Sequence, residues 1–353
     1  MNQTEKKVLK KITPTDEYKK KISEIIKELE IILKKEIKNR NIDADILLVG
    51  SIAKDTYLMN NMDIDFFICF STDYTKDEIA KKSLAIGKKI LSDTEESYAE
   101  HPYIRGYYKE EYIEIVPCYK IEKASQKLTA VDRTPLHTEF VIKNLKEKQK
   151  EDVRLFKQFL KGINCYGAEA QIQGFSGYLC EIMIIYYNDF SNLIKNVKNL
   201  KYNQKFSLLD KDIPEFDSPI VFIDPVDKDR NVASALSKEK FKLFKIASKK
   251  YLEKPSIRFF FPKKINPWSK EEIKKEINKQ DFRYIGIKID EPDIIDENLY
   301  PQIRKALKSI KKNANKNDFE IFDTKFHIDK EKKNIYLIIK THKKNLSKTK
   351  IHI

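Results

Sequence analysis

Two aspartates separated by one residue are the first sign of chemistry in this sequence. Asp63 and Asp65 stand in the stretch Met-Asp-Ile-Asp-Phe, within a run rich in Ile and Phe that is typical of a β-strand. Because successive side chains of a strand point to opposite faces, both carboxylates are expected on one face. Carboxylates so close repel each other unless a cation lies between them. Mg²⁺ prefers hard oxygen ligands and bridges carboxylates to substrate phosphates, so the spacing indicates a candidate magnesium site.

A phosphate-binding element is predicted about a dozen residues earlier. Gly50 and Ser51 follow the apolar strand predicted over 46–49, and we expect them to open a helix. Backbone N–H groups at a helix start, together with the Ser51 hydroxyl, can hold a triphosphate. Each signal alone is common, because Gly-Ser often marks only a turn and most strand Asp-x-Asp pairs bind no metal. The two signals in this order, with strands on both sides, are much rarer.

This combination resembles the nucleotidyltransferase superfamily of DNA polymerase β, which implies a third carboxylate on a neighbouring strand. Glu114 stands in Tyr-Ile-Glu-Ile-Val-Pro, isolated among strand formers. Burying a lone charge between Ile113 and Ile115 is costly, so a purely structural role does not explain it. We therefore expect Asp63, Asp65 and Glu114 to be the catalytic and metal-binding carboxylates.

Longer motifs narrow the resemblance. In chain order they read Ile-Glu-Ile-Val-Pro-Cys-Tyr-Lys around Glu114, Ala-Val-Asp-Arg-Thr-Pro-Leu-His over 130–137, Gly-Phe-Ser-Gly-Tyr-Leu over 174–179, Asp-Pro-Val-Asp and Arg-Asn-Val-Ala over 224–233, and Asp-Glu-Asn-Leu-Tyr-Pro over 296–301. In this order they resemble the archaeal, class I CCA-adding enzymes (tRNA nucleotidyltransferases), over about residues 47–340. The resemblance implies template-independent addition of CMP, CMP and AMP to the tRNA 3′ end, with release of pyrophosphate.

The resemblance also implies roles for single residues. Asp63 and Asp65 would bind two Mg²⁺ ions, and Glu114 would join them and help to activate the 3′-hydroxyl of the tRNA. The substrates would be CTP and ATP. The residues expected to contact the nucleotide are Gly50, Ser51, Lys54, His101, Thr134, His137, Lys157, Tyr166 and Arg230. Phosphoryl transfer needs two cations about 3.5–4 Å apart and positive charge around the leaving pyrophosphate, which such a set supplies.

Within that set the resemblance separates two tasks. His101 and Arg230 would belong to the pocket that selects the nucleotide, which tRNA backbone phosphates complete, so that no template is read. The remaining residues would hold the triphosphate and the ribose. Two of them have ordinary structural alternatives. Lys157 is equally compatible with a solvent-exposed helix position, and His137 with a packing histidine.

Two departures from the family pattern bear on activity. Family members have Asp where this chain has Glu114, and the extra methylene moves the carboxylate by more than about 1 Å, a displacement that can cost about 100-fold in rate. We therefore expect slower or metal-sensitive catalysis. The chain also stops at Ile353, where family members continue into a tail that grips the tRNA elbow, so we expect that tail to be missing or reduced. Lysines over 238–254 and in the last domain would then hold the acceptor stem by phosphate and 2′-hydroxyl contacts.

The elements that position these residues predict an α+β multidomain protein. It would have a polymerase β-like nucleotidyltransferase head over 1–135, a helical neck over 136–254, and a small β-α-β-β body over 255–353 that is similar in order to RNA-recognition folds. The head is predicted to contain helices over 16–40 and 76–91 and strands over 46–49, 62–70, 97–107 and 111–121. In the neck an apolar helix is predicted over 175–190, and in the body strands over 282–289, 319–328 and 334–341 flank and follow a helix over 300–313.

Composition limits the class of protein. The chain has 353 residues with 69 Lys+Arg against 54 Asp+Glu, a net charge of +15 that indicates either compositional drift or a polyanionic partner. A hydrophobic fraction of 41% excludes global disorder, and the most apolar run, 182–187, is far shorter than the roughly 20 residues that span a membrane. The four cysteines form no metal-binding pattern, which fits reduced thiols. We expect a cytoplasmic protein of archaeal type, bound to the tRNA acceptor stem and 3′ end and to no membrane, with a homodimer left open.

Two other functions stay open from the sequence. The enzyme could add only part of the CCA end, or tail other RNAs at their 3′ ends. Alternatively the chain could be a non-catalytic tRNA-binding remnant, which the Glu114 substitution and the short C-terminus would permit.

Overall fold

The computed structural model describes residues 1–59, 62–98, 102–209 and 214–342. These residues form two compact units. The first contains residues 1–168 and 172–262, and the second contains residues 169–171 and those from 263 onward. Both units mix helices with sheet, and the predicted α+β fold with a nucleotidyltransferase head is confirmed. In the described ranges no helix is both long enough and apolar enough to cross a membrane.

The N-terminal part of the first unit contains five helices and five strands. The helices are α1 (Gln3–Ile12), α2 (Asp16–Asn39), α3 (Gly50–Ala53), α4 (Lys76–Ile90) and α5 (Arg133–Asn144). The strands are β1 (Ala44–Val49), β2 (Ile64–Phe70), β3 (Ser92–Tyr98), β4 (Pro102–Tyr108) and β5 (Glu111–Tyr119). The strands form one sheet in the order β1-β2-β5-β4-β3, in which only the central β2–β5 pair is parallel.

Strand alternation fixes which face of this sheet carries the acids. On β2, Ile64, Phe66 and Ile68 are fully buried and belong to the core that α2 and α4 cover. Asp65 lies between the first two, so its side chain points to the opposite face. The same alternation on β5 buries the two isoleucines that flank Glu114 and turns Glu114 to the face that carries Asp65.

The rest of the first unit is mainly helical. It contains α6 (Glu147–Gly162), α7 (Gly177–Tyr187), α8 (Phe190–Val197), β6 (Gln204–Phe206), β7 (Ile220–Phe222) and α9 (Lys238–Glu253). Its core is aromatic, with Phe156, Phe159 and Phe244 in edge or tilted ring contacts. The apolar helix predicted over 175–190 is the buried α7, shorter at both ends than predicted because Ser176 caps its start and Asn188 ends it.

The second unit has the predicted β-α-β-β order. It contains α10 (Lys270–Asn278), β8 (Phe282–Asp290), α11 (Asp296–Lys316), β9 (Ile321–Asp329) and β10 (Asn334–His342). The three strands form an antiparallel sheet in the order β8-β10-β9. Leu299, Ile303 and Leu307 of α11 pack against Ile335 and Leu337 of β10 and form its core.

Two parts of the head differ from the sequence-based expectation. The single strand predicted over 97–107 is wrong, since β3 and β4 are separate antiparallel strands. The polar stretch at the start of β3 has no apolar alternation that would have revealed it. Helix α1 was not predicted either, because its Lys-rich face dominates the sequence. Its buried residues, Val8, Leu9 and Ile12, pack in the same core as α6.

Candidate active site

Two of the three predicted catalytic acids are neighbours across the sheet. Asp65 on β2 pairs in register with Glu114 on the parallel β5, and both are half-buried on the same face. On its other side Asp65 pairs with Val49, the last residue of β1. Asp63 is exposed and immediately precedes β2, which begins at Ile64. The sheet therefore brings the three acids together near the ends of β2 and β5, next to the turn that follows β1.

That turn approaches Asp65 more closely than any side chain would allow. Gly50 has φ +73°, and a Cβ added to it would lie 1.9 Å from Oδ2 of Asp65. Both the left-handed backbone and the contact require glycine. The close approach puts Gly50, the first residue of α3, directly beside the Asp65 carboxylate, and Ser51 is the next residue of that helix.

Burial has the largest effect on the pKa values of these acids, and like charges add to it. Burial raises the pKa of Asp65 to about 8, and the charges of Glu114 and Asp63 add to the increase, while Lys54 opposes it. Burial and Asp63 likewise raise the pKa of Glu114. The acids are therefore short of positive charge. Within the described residues no three His, Cys, Asp or Glu side chains lie close enough together to hold a metal ion as they stand.

Arg105 is a neighbour that sequence reasoning missed. It lies on β4 in register with Glu114, and its charge opposes the rise in pKa of both Glu114 and Asp63. Its Nη2 lies 3.2 Å from Oε2 of Glu95 on β3, so part of its charge is already neutralised within the sheet. The only feature of the sequence that could have identified Arg105 was a single Arg within a strand of mostly apolar residues.

Lys54 and Lys157, both predicted to contact the triphosphate, meet on one buried carboxylate. Oε2 of Glu181 accepts a hydrogen bond from Lys54 at 2.6 Å, and Oε1 accepts one from Lys157 at 3.1 Å and one from the Thr56 hydroxyl at 2.6 Å. The side chain of Glu181 is fully buried, that of Lys157 is 2% exposed and that of Lys54 is 8% exposed. The solvent-exposed alternative for Lys157 is therefore wrong. Two ammonium groups on one carboxylate leave a net charge of +1.

The direction of the pKa shift confirms that this cluster is internally paired. Burial alone would raise the pKa of Glu181, but the charges of Lys157 and Lys54 and their hydrogen bonds outweigh it and hold the pKa at about 2. Burial lowers the pKa of Lys157, and Glu181 opposes that decrease. Glu181 was missed by sequence reasoning, although a lone acid inside an apolar helix is the same signal that identified Glu114.

His137 and Arg230, also predicted to contact the nucleotide, converge on a second buried carboxylate. Oδ2 of Asp224 lies 2.8 Å from Nε2 of His137 and accepts a hydrogen bond from Nη1 of Arg230 at 2.7 Å. Oδ1 accepts one from the Tyr178 hydroxyl at 3.0 Å. Burial alone would raise the pKa of Asp224, but the bonds from His137 and Arg230 hold it at about 2. Burial lowers the pKa of His137, and the hydrogen bond and charge of Asp224 oppose that decrease.

The loop that carries Asp224 also holds the start of α5. Asp227 accepts a hydrogen bond from Nη1 of Arg133 at 3.0 Å and lies 3.0 Å from Nζ of Lys127. Arg133 and His137 are one helical turn apart on α5, and the two aspartates are three residues apart on the loop. We call residues 224–230 the aspartate loop. It holds α5 at two points along one face.

The remaining predicted residues lie around these clusters. Thr134 is half-buried in the first turn of α5, one turn before His137. A Cβ added to Gly177, at the start of α7, would lie 3.2 Å from the Tyr166 hydroxyl and 3.8 Å from Nζ of Lys157. The Tyr166 hydroxyl and the Lys157 ammonium group therefore both lie beside Gly177 at the start of α7. His101 lies outside the described residues.

Lys54 relates the three groups to one another. Its charge lowers the pKa of Asp65 and also contributes to the lowered pKa of His137. The acids, the Glu181 cluster and the Asp224 cluster thus lie within electrostatic range of one side chain. An arrangement of acids, net positive charge and polar side chains is suited to transfer of a nucleotidyl group from a nucleoside triphosphate.

Comparison with solved structures identifies the fold as that of nucleotidyltransferases. The chain is similar to CdnC of E. coli MS115-1, solved with ATP, with a TM-score of 0.57 and 15% identity over 73% of this chain and 94% of that one. It is also similar to Cid1, described as an RNA terminal uridylyl transferase, with a TM-score of 0.57 and 14% identity over 74% of this chain and 98% of that one. At such identities the likeness concerns the fold alone.

Sequence comparison is more specific. Family models match in three places: a nucleotidyltransferase domain over 20–137, a tRNA nucleotidyltransferase second domain over 151–261, and a CCA-adding enzyme C-terminal domain over 269–353. The CCA-adding enzyme of Methanocaldococcus jannaschii is 39% identical over 92% of this chain and 74% of its own length. The enzymes of Picrophilus torridus (39% identity, 92% and 73%) and Pyrococcus abyssi (37%, 91% and 74%) are similarly related.

The chain therefore belongs to the family of CCA-adding enzymes, the tRNA nucleotidyltransferases. The resemblance found in its motifs is confirmed. The predicted domain boundaries at 135 and 254 and the predicted site residues stay predictions.

Proposed function

We propose that this chain adds CMP, CMP and AMP to the 3′ end of tRNA, from CTP and ATP and without a template. The observation that carries the proposal is the register pairing of Asp65 with Glu114 beside Gly50, in a chain of the CCA-adding family. A cytoplasmic location stays a prediction, as does a homodimer.

The donor set fits two Mg²⁺ ions. Asp63, Asp65 and Glu114 supply only hard oxygen ligands. Burial raises the pKa of all three, and neighbouring acids raise those of Asp65 and Glu114 further, so a bound cation would favour their charged forms. These three residues would hold the ions. When bound, the ions supply Lewis-acid stabilisation of the charge that develops on the transferring phosphoryl group. Glu114 would help to activate the attacking 3′-hydroxyl.

Two further groups would hold the nucleotide. Backbone N–H groups at Gly50 and Ser51 would face the triphosphate, supported by the net positive charge that Lys54 and Lys157 share over Glu181. That positive charge is suited to the leaving pyrophosphate. Of the other predicted contacts, Thr134, His137 and Tyr166 would contact phosphate or ribose, and Arg230 and His101 would line the pocket that selects the nucleotide.

The macromolecular substrate would be the tRNA acceptor stem with its 3′ end. The net charge of +15 supports a polyanionic partner. Exposed lysines on α9, among them Lys242, Lys249 and Lys250, are placed for phosphate contacts. Such contacts recognise the shape of an A-form stem and carry no sequence information.

The test uses the purified chain, tRNA that lacks its 3′ CCA, labelled CTP or ATP, and Mg²⁺. Extension by the wild type and none by Asp65→Asn is the expected result, because Asn removes the charge and keeps the shape. No extension by the wild type, or equal extension by the variant, overturns the proposal. Sequencing the product ends separates complete CCA addition from partial addition or tailing of other RNAs.

A non-catalytic tRNA-binding protein is the alternative that the same experiment excludes. It predicts salt-sensitive tRNA binding without nucleotide incorporation. It also predicts no gain from Glu114→Asp. A sharp increase in incorporation by that variant would exclude this candidate.

A further inference from the structure

The carboxylate of Asp224 has every acceptor position filled. Oδ2 accepts from His137 and Arg230, and Oδ1 accepts from the Tyr178 hydroxyl and from the backbone N–H of Val226 at 3.1 Å. An ionised carboxylate has about four lone-pair sites. Asp224 is fully buried, so water cannot exchange with these partners. A carboxylate so saturated cannot bind a metal or accept a further proton, and its effect is on the side chains that it holds.

Those side chains are fixed in orientation as well as in position. Because an ionised carboxylate only accepts hydrogen bonds, Nε2 of His137 must carry the proton that it shares with Asp224. The His137 ring also stacks on Tyr178, with centroids 4.0 Å apart and planes 24° apart. One edge and one face of the imidazole are therefore held, and Nδ1 is the ring nitrogen that Asp224 does not hold.

Arg230 is held on the same oxygen but remains partly accessible. Its side chain is 31% exposed, while that of His137 is 12% exposed. A guanidinium has five N–H donors, so one bond to Asp224 leaves donors for a ligand. A single buried oxygen thus sets the distance and angle between an imidazole Nδ1 and a guanidinium edge.

We propose that Asp224 is a positioning residue that presents His137 and Arg230 to the incoming nucleotide as one rigid unit, and so contributes to discrimination among nucleotides. The inference rests on the proposed function, in which His137 and Arg230 contact the nucleotide. Rigid donors and acceptors reject bases that leave them unpaired, which is the physical basis of strong discrimination.

The aspartate loop offers a matched control. Asp227 has the same structural task, since it holds Arg133 on α5 and is buried to a similar degree, with 8% of its side chain exposed. Its carboxylate bonds neither His137 nor Arg230. Its backbone carbonyl accepts a hydrogen bond from the N–H of Arg230 at 2.9 Å, and Asp227→Asn leaves that bond in place. A purely structural role for Asp224 predicts the same consequences for Asp224→Asn and Asp227→Asn.

The experiment measures kcat and KM for CTP and ATP, and misincorporation of UMP and GMP, on tRNA lacking its 3′ end. Asp224→Asn replaces an acceptor by an NH₂ donor opposite two donors, so we expect KM to rise about 10- to 100-fold with kcat within about threefold, and misincorporation to rise. Asp227→Asn is expected to change KM by less than about threefold. In the double variant Asp224→Asn/Arg230→Gln we expect KM to rise by less than the product of the two single effects, because Asp224 acts in part through Arg230 and in part through His137.

Several results would overturn the inference: a wild-type KM in Asp224→Asn, equal KM changes in the two Asn variants, or fully additive effects in the double variant. If Asp224→Asn does not fold, Asp224→Glu keeps the charge and displaces it, and a wild-type KM and fidelity in that variant would equally overturn the inference. A wild type that incorporates no nucleotide overturns the proposed function and the inference with it. A wild type that incorporates while the variants match it overturns the inference alone.

Discussion

Two sets of buried acids in the same unit have pKa values that move in opposite directions. Asp65 has a pKa raised to about 8, and that of Glu114 is raised as well. Glu181 and Asp224 have pKa values lowered to about 2. Burial raises the pKa in all four, so the neighbours decide the sign. Asp65 faces other acids, whereas Glu181 faces two lysines.

The difference separates a site that needs a ligand from a site that is complete. Glu181 and Asp224 find their counter-charges within the fold, so they fix the positions of other side chains. Asp65 and Glu114 do not, and a divalent cation would supply what they lack. Four substitutions and conditions test this contrast, beginning with the largest effect.

Removing charge from the unpaired set should abolish activity. Asp65→Asn is expected to reduce nucleotide incorporation by about 1,000-fold or more, because the variant lacks a metal ligand and a charge at the reacting phosphate. Its free energy of unfolding should stay equal to or exceed that of the wild type, since one repulsive charge is gone. Single-turnover incorporation and urea unfolding measure the two quantities. A variant that loses both activity and stability would contradict the contrast.

Removing charge from the paired set should have its main effect on stability. Glu181→Gln leaves Lys54 and Lys157 buried without a counter-charge, so the free energy of unfolding should fall by about 3 kcal/mol. The matched control is Glu96→Gln, which removes the surface pair with Lys88 and should cost less than about 1 kcal/mol. Urea unfolding at pH 7 measures both. Equal losses of unfolding free energy in the two variants would show that the buried ion pairs of Glu181 stabilise the fold no more than a surface pair does.

The ion pairs of Glu181 with Lys54 and Lys157 also predict that the free energy of unfolding depends on pH. Glu181 has a pKa of about 2 in the folded chain against an ordinary value of 4.5, so below pH 4.5 the unfolded chain binds a proton that the folded chain does not. Its stabilisation is complete above pH 4.5 and is lost as the pH falls toward about 2. The difference in unfolding free energy between wild type and Glu181→Gln should therefore narrow over that range. A difference independent of pH would contradict the assignment.

The smallest expected effect is metal stabilisation of the unpaired set. Mg²⁺ at about ten times its dissociation constant should stabilise the wild type by about 1.4 kcal/mol, which raises the melting temperature by about 2–4 °C. Asp65→Asn should show no such increase. Sodium chloride at equal ionic strength controls for screening. A similar increase in the variant would place the bound ion elsewhere.

The sequence predicted the acid face well because it rests on local rules. Strand alternation alone places Asp65 and Glu114 on one face, and a single glycine with positive φ identifies the adjoining turn. The partners of Lys54 and Lys157 were not predictable in this way. Glu181 lies 127 residues from Lys54, and only the packing of α6 and α7 against the head brings them together. Their expected phosphate contacts must therefore be made by ammonium groups already paired.

The Asp224 cluster was only partly predictable. The motif that contains Asp224 and Arg230 was recognised, and His137 was named, but nothing local connects a helix residue to a loop 87 residues away. Tyr178 lies in the recognised motif over 174–179, but no role was predicted for it. Composition and periodicity specify elements and faces, whereas a buried hydrogen-bond network is specified only when several elements have packed.

The two-point attachment of α5 to the aspartate loop has a consequence for motion. Separating Arg133 from Asp227 would turn α5 away from Asp224 as well, so the two contacts should open together. We expect the backbone amides of α5 and of the aspartate loop to exchange with deuterium at one common rate, slower than those of an exposed helix such as α10. Any motion around the site would then carry α5 and the aspartate loop together.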